Sequence, residues 1–438
     1  MAAAVARRAG KDVTDTPGGG RTRGHGRGAS GAGGRAAFPL WLTAYAFAVV
    51  MVGTTLPTPL YPFYEQQWGF SPLVITVIFA VYAVGVIAAL LFLGSVSDRI
   101  GRRPALLAGL ALSALSAVAF LLAGGLGALL AGRALSGLSA GIVTGAGTAA
   151  LVDLAPPGRQ SFASGVATAA NLGGLGCGAL LAGVVAALAA APLRLPFWTD
   201  LALLAPAFMA VTRVPETVRP SGGEVVHMQR LRVPAALRGT FTRAATAGFA
   251  SFAMSGLFSA VAPTFLARLL HQPSPALAGA MVFALFTASA AGQLAIGRMP
   301  ARTGLSTGCI GVAIGAGLVA GALALGSLPF LIAGAVVAGL GQGLSVGAGL
   351  AALNTEAPPN RRGEVASSYF VVLYVALSIP IVGVGLAAQI IGLRPAALIF
   401  TAFVAALAAT CLISLLARRP TRKRRHRPRQ QASPQERQ

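Results

Sequence analysis

Charge is what this chain has least of. Only 10% of its 438 residues are Asp, Glu, Lys or Arg, and only eleven are acidic. Soluble globular chains carry about 25% charged residues, so a soluble fold is excluded. Lysine occurs twice, at Lys11 and Lys423, and neither follows a phosphate-cradling glycine loop. ATP is therefore not expected to act on this chain. The three cysteines, Cys177, Cys309 and Cys411, each stand alone in an apolar stretch. They offer neither a disulfide framework nor metal-ligand spacing. The four histidines, His25, His227, His271 and His426, all lie outside the apolar runs. No HExxH pattern, paired carboxylates or Ser/His arrangement sits within an apolar run, so no catalytic residue, metal or cofactor is expected and an enzyme is disfavoured.

What fills the chain instead is apolar. The hydrophobic fraction is 55%, with 56 glycines, and the mean hydropathy is +0.74. From Phe38 onward, apolar stretches recur at about 20 residues, the length that crosses a bilayer core as helix. Twelve are expected, near 38–60, 72–96, 104–124, 126–151, 163–190, 196–213, 244–269, 276–297, 304–325, 328–353, 365–390 and 395–417. The first is too long for a signal peptide and is expected to stay as an anchor. Residues 1–37 are Gly- and Arg-rich and are expected to form a disordered basic tail. A second basic tail covers 418–438.

The formal net charge of +23 is topogenic, not a nucleic-acid footprint. Thirty of the 34 Lys and Arg lie in the two tails and the even-numbered gaps, which hold Arg99, Arg102, Arg103, Arg159, the stretch from Arg213 to Arg243, Arg298, Arg302, Arg361 and Arg362. The odd-numbered gaps hold only Arg194, Arg268 and Arg394. By the positive-inside rule both termini and the even gaps are expected in the cytoplasm, with the chain in the plasma membrane. Nothing in the pattern interleaves aromatics with a basic face, so no nucleic-acid partner is expected.

The longest internal polar stretch, 214–243, splits the chain into six-helix halves, 38–213 and 244–417. The halves repeat. AGRALSGLSAGIVTGAGTAALVDLAPP (131–157) and AGAVVAGLGQGLSVGAGLAALNTEAPP (333–359) share 14 of 27 positions at a constant offset of 202, and both end in Ala-Pro-Pro-x-Arg. A duplicated six-helix unit is a transporter architecture that places its site between the halves near the membrane midplane.

The gap after the second span reads GSVSDRIGRRP (94–104). Its Gly94, Asp98, Arg99, Gly101, Arg102 and Arg103 resemble the G-x-L-x-D-R-x-G-R-R signature of the major facilitator superfamily, with Val96 where Leu is usual. The resemblance implies an all-α membrane fold of two pseudo-symmetric six-helix bundles. It also implies that the acid pairs with loop arginines and the facing end of the eleventh helix, helping to shut the cytoplasmic side. The alternative is a solvated topogenic loop. The matching gap in the second half, GRMPARTG (297–304), has lost the acid.

Arg133 is the only basic residue well inside a span. Placing it there costs about 2.5–3.5 kcal/mol on insertion scales, and its repeat partner is Ala335, so the duplicated fold does not require it. The segment resembles the family's second motif, which implies proton coupling or substrate binding. Snorkelling to the outer surface is the alternative. The nearest acids that can share such a role are Asp98, at the inner edge of the second span, and Asp200, one turn into the sixth.

Gly165, Gly174, Gly178 and Gly183 on the fifth span resemble the family's antiporter motif, with Ala179 in place of Pro. Small residues at this spacing let helices approach and slide, whether for export or for packing alone. Gly137, Gly141 and Gly145 are expected to do the same on the fourth. VPET (214–217) resembles a frequent ending of the family's first half. Thr54, Thr55, Asn171, Gln293, Gln342, Tyr369 and Tyr374 are polar positions that either line a cavity or bond between helices.

The resulting expectation is a monomeric secondary transporter embedded in lipid and working by alternating access. Its small-molecule substrate is partly apolar, a drug or metabolite, exported against a proton gradient. The alternatives are an uptake symporter for a metabolite or sugar, and a non-transporting receptor on the same scaffold.

Overall fold

The computed structural model describes residues 29–93, 96–218 and 231–417 of the chain, and among them there is no strand. Among the described residues, twelve helices are long and apolar enough to cross a membrane. They are α1 (Phe38–Trp68), α2 (Pro72–Leu93), α3 (Arg102–Leu121), α4 (Leu126–Asp153), α5 (Gln160–Leu188), α6 (Leu195–Thr212), α7 (Ala235–Arg268), α8 (Pro275–Arg298), α9 (Ala301–Leu325), α10 (Leu328–Glu356), α11 (Arg362–Ile391) and α12 (Leu393–Ala417).

The number of spans agrees with the apolar runs, but several ends differ. α1 reaches Trp68 instead of stopping near 60, because Pro57 and Pro59 turn the chain through a 3-10 segment at Thr58–Leu60 and helix resumes at Tyr61. Its helix begins at Ala29, inside the segment expected to be tail. Once an apolar run has nucleated a helix, extending it costs little. α7 begins at Ala235 instead of 244, which shortens the expected 214–243 linker and places Arg238 and Arg243 on the helix. Basic side chains at a helix end reach the polar layer on their long stems, so the helix need not stop where charge begins. Residues 1–28, 219–230 and 418–438, and Gly94 of the loop motif, lie outside the described residues.

Local chemistry starts equivalent helices alike. α2 opens with Ser71-Pro72 and α8 with Ser274-Pro275. Each serine side chain accepts the N–H three residues on, from Val74 and Leu277. Each proline takes a first-turn position whose missing N–H costs nothing.

The sequence repeat recurs as packing. α4 lies on α2 and α3, α10 on α8 and α9, and α1 on α5 as α7 on α11. The two bundles meet along two seams, α5 with α8 and α2 with α11. Missing side chains allow the close contacts: a Cβ on Gly85 of α2 would stand 2.6 Å from the Ala134 carbonyl oxygen of α4. Where lipid tails are as apolar as side chains, such backbone approach holds helices together.

Candidate functional site

A cavity of about 540 Å³ lies between the bundles, walled by helices of both halves. Thr54 and Thr55 of α1, Asn171 of α5, Gln293 of α8, Gln342 of α10 and Tyr374 of α11 all line it. Tyr369 does not; it is fully buried inside the second bundle. Ser164 at the start of α5, Gly297 at the end of α8 and Asn354 at the end of α10 surround the lower part, so the cavity extends towards the end that carries the basic gaps. A second space of about 690 Å³ adjoins it through Thr144, Thr148, Phe370 and Tyr374, and separates Ser97 and Ile100 from Gly363 and Ala366 of α11.

The opposite end is shut. Arg268 of α7 donates to Glu65 of α1 at 2.5 Å, an ion pair across the two bundles. The Tyr82 and Tyr374 rings meet edge-on at 6.4 Å, also across the seam. Gly385 of α11 lies against α2, where a Cβ would stand 3.0 Å from the α-carbon of Leu73.

Arg133 does not snorkel. It is 1% exposed and turned inward. Its Nη1 donates to the Thr54 carbonyl at 2.7 Å and its Nη2 donates to the Tyr61 hydroxyl. The rings of Tyr61, Phe79 and Tyr82 stand 5.4, 5.9 and 5.9 Å from its guanidinium carbon. Its Nε has no partner. Arg133 still forms part of the cavity wall.

Asp200 is 2% exposed, on α6, and one carboxylate oxygen has no partner. It occupies the space a side chain on Gly53 would need: a Cβ there would be 2.9 Å from Asp200 Oδ2 and 3.1 Å from Ser113 Oγ. The two intramembrane charges therefore flank adjacent α1 residues, Arg133 at Thr54 and Asp200 at Gly53. They do not pair.

At the basic end, Gly101 has φ +103 and packs against the carboxylate of Glu216, from the VPET segment. Glu216 accepts the backbone N–H groups of Arg102 at 2.8 Å and Arg103 at 3.0 Å, at the start of α3. Burial alone would push its carboxyl up. The N–H groups of Val218, Arg102, Arg103 and Thr217 outweigh that and hold it below the ordinary glutamate value. Arg102 also reaches Ser97 at 2.8 Å and Asp153, at the end of α4, at 3.3 Å. Glu216, Ser97 and Asp153, which receive these bonds, all belong to the first half. Asp98 lies on a short helix, Val96–Ile100, that continues into the loop, and Arg99 follows it.

The α5 glycines divide between two neighbours. Gly174 and Gly178 seat α1, where Cβ atoms would stand 2.6 Å from the Ala48 carbonyl oxygen and 2.8 Å from the Val52 carbonyl carbon. Gly183 meets the backbone of Pro275 on α8, and Gly165 meets only the Leu294 side chain at 3.4 Å. On α4, Gly137 and Gly141 contact α2, but nothing comes within 4 Å of a Cβ on Gly145.

Sequence reasoning missed three things. It gave VPET no contact, although its Glu216 caps α3. It did not join Glu65 to Arg268, although the repeat offset sets Glu65 opposite Ala267, beside Arg268. It also treated the cysteines singly, whereas Cys309 of α9 and Cys411 of α12 enter one buried core where those two helices pack. No sequence spacing brings positions so far apart together.

A family model described as Major Facilitator Superfamily matches residues 43–245 and again 244–437. The crystal structure of a bacterial homologue of the human lysosomal transporter Spinster, inward-facing and unoccupied, superposes with a TM-score of 0.66 at 15% identity, over 87% of this chain and 98% of that one. The crystal structure of the human organic anion transporter MFSD10 (TETRAN) superposes with a TM-score of 0.63 at 19% identity, over 87% and 99%. These likenesses show a shared fold. None of the curated proteins compared with the chain matches it.

Proposed function

The chain belongs to the major facilitator superfamily, and we propose that it is a proton-coupled exporter of small, partly apolar molecules. Membership makes it a multi-pass secondary transporter. The observation that carries the finer reading is the inter-bundle cavity, open towards the basic end and closed opposite by Glu65 and Arg268. A substrate partitioning from the basic side meets walls of aromatic rings, hydroxyls and amides.

Rocking the bundles about the cavity exposes it to the other side. The glycine contacts along α5 and α8, where Gly183 meets the Pro275 backbone and Gly279 the Ala179 backbone, suit such sliding. When the basic end closes, the loop bearing Asp98, Arg99, Gly101, Arg102 and Arg103 meets the start of α11. The space now separating Ser97 and Ile100 from Gly363 supports that movement. Asp200 is the proton carrier in this reading. A buried carboxylate with an unpartnered oxygen is tolerated neutral and costly ionised, so its charge is a lever on conformation. Arg133 binds or couples at the next α1 residue, Thr54. The chain works as a monomer in the plasma membrane, with the basic ends in the cytoplasm, as the charge asymmetry favours.

Reconstitution into vesicles with an imposed pH gradient tests this. A panel of labelled drugs and metabolites should include some that move against the proton flux. Asp200→Asn should lose gradient-driven movement at least about ten-fold and keep substrate exchange between equal pools. Movement in the same direction as protons would mean uptake. Movement indifferent to the gradient would remove protons from the mechanism.

A further inference from the structure

We infer, resting on the transport reading above, that the substrate is an amphipathic organic anion, and that Arg133 receives its charged group.

The cavity wall carries one charged side chain, Arg133, and no Asp or Glu among the described residues. A guanidinium offers five N–H groups in a planar fork. Nη1 and Nη2 each have one acceptor, a carbonyl and a phenol oxygen, and Nε has none. Both acceptors are neutral, and three rings supply only the partial negative charge of their faces. Among the described residues Arg133 has no carboxylate within ion-pair distance. The described pairs engage Arg102 and Arg268 instead, and Asp200 lies against Gly53.

A buried cation without a counterion is costly, so arginines inside membranes are normally paired. Here the missing counterion has a place to come from, because the residue forms part of the cavity wall. An edge of a guanidinium with free N–H groups accepts a carboxylate or sulfonate in parallel hydrogen bonds. The remaining wall suits the body of such a molecule, with Phe79, Phe252, Phe286 and Phe370 as apolar surface. About 540 Å³ is within the range of sites for drug-sized ligands. A cationic compound would meet a like charge in a low-dielectric space with no carboxylate to take it.

The test holds the body constant and varies the charge. Labelled 4-phenylbutyrate, 4-phenylbutanamide and 4-phenylbutylamine, and the matching naphthyl and indolyl series, are offered to vesicles containing the purified chain, at neutral pH, with protein-free vesicles subtracted. The carboxylates should enter at least about ten times faster than amides or amines, about 1.4 kcal/mol of discrimination. Arg133→Lys should keep that order, and Arg133→Gln should bring the carboxylates level with the amides. The ranking on the unaltered protein stands even if a variant fails to fold, which size-exclusion profiles report. Amides or amines entering as fast as carboxylates would overturn the inference and leave the transport reading intact. If no compound of any charge enters, the transport reading falls and takes this inference with it.

Discussion

Glu65 at the end of α1 and Arg268 at the end of α7 join the two bundles at one end only, the end away from the cavity mouth. α1 and α7 are repeat-related, so the pair spans the pseudo-symmetry axis between corresponding ends. It can persist only while that end is shut, and it therefore weights one side of the conformational equilibrium.

Glu65→Gln should shift the protein towards opening at that end. The arginine is 54% exposed and the glutamate 9%, so the pair is worth about 1 kcal/mol or less, a factor of about 5 in populations. Spin labels placed beside Glu65 and Arg268, on the ends of α1 and α7, would report it as growth of a longer distance. An unchanged distribution would mean that the helix seams alone hold that end closed.

Gly178→Val should damage the protein while Gly165→Ala should not. A Cβ at 178 would be driven into the backbone of α1 at Val52, whereas one at 165 makes ordinary contact with Leu294. Overpacking of this kind costs about 1–3 kcal/mol. Thermal unfolding in detergent should fall clearly for the first and stay level for the second.

Gly101→Ala should loosen the start of α3. The position has φ +103 and abuts the Glu216 carboxylate, and such strain costs about 1–3 kcal/mol. Hydrogen exchange at the Arg102 and Arg103 amides should quicken, and Glu216→Gln should give part of the same effect.

The same cap carries a pH dependence with a definite sign. Glu216 titrates lower when folded than when unfolded. Its contribution is therefore fully present above the ordinary glutamate value and is lost as pH falls through the lower folded value. Protection of the two amides should hold at neutral pH and fade in acid, and the fading should be absent in Glu216→Gln.

Gly53→Ala should disturb Asp200 without touching Arg133 directly. The added methyl would stand 2.9 Å from Oδ2, so the carboxylate must move. If Asp200 carries the proton, the pH dependence of transport should shift in this variant while binding of substrate at low turnover is kept. A profile identical to that of the unaltered protein would separate Asp200 from coupling.

The sequence by itself determined the class, the number of spans, the twofold organisation and the family. Those follow from properties summed along the chain: run length against bilayer thickness, charge counted gap by gap, and a repeat at constant offset. It also singled out Arg133 and Asp200, because a charge inside an apolar run is conspicuous wherever the helix points. Only the tertiary structure decided what those charges face. Whether Arg133 snorkels or turns inward depends on the rotation of α4 against α2, where Gly137 and Gly141 sit. That rotation is set by glycines that let backbones touch, and apolar periodicity is weak where lipid and helix neighbours are both apolar. The pairing of Glu65 with Arg268, the seating of Glu216 on α3 and the side of α1 occupied by Asp200 are contacts between distant segments. Their energies arise only once the helices are packed, so nothing local in the chain encodes them.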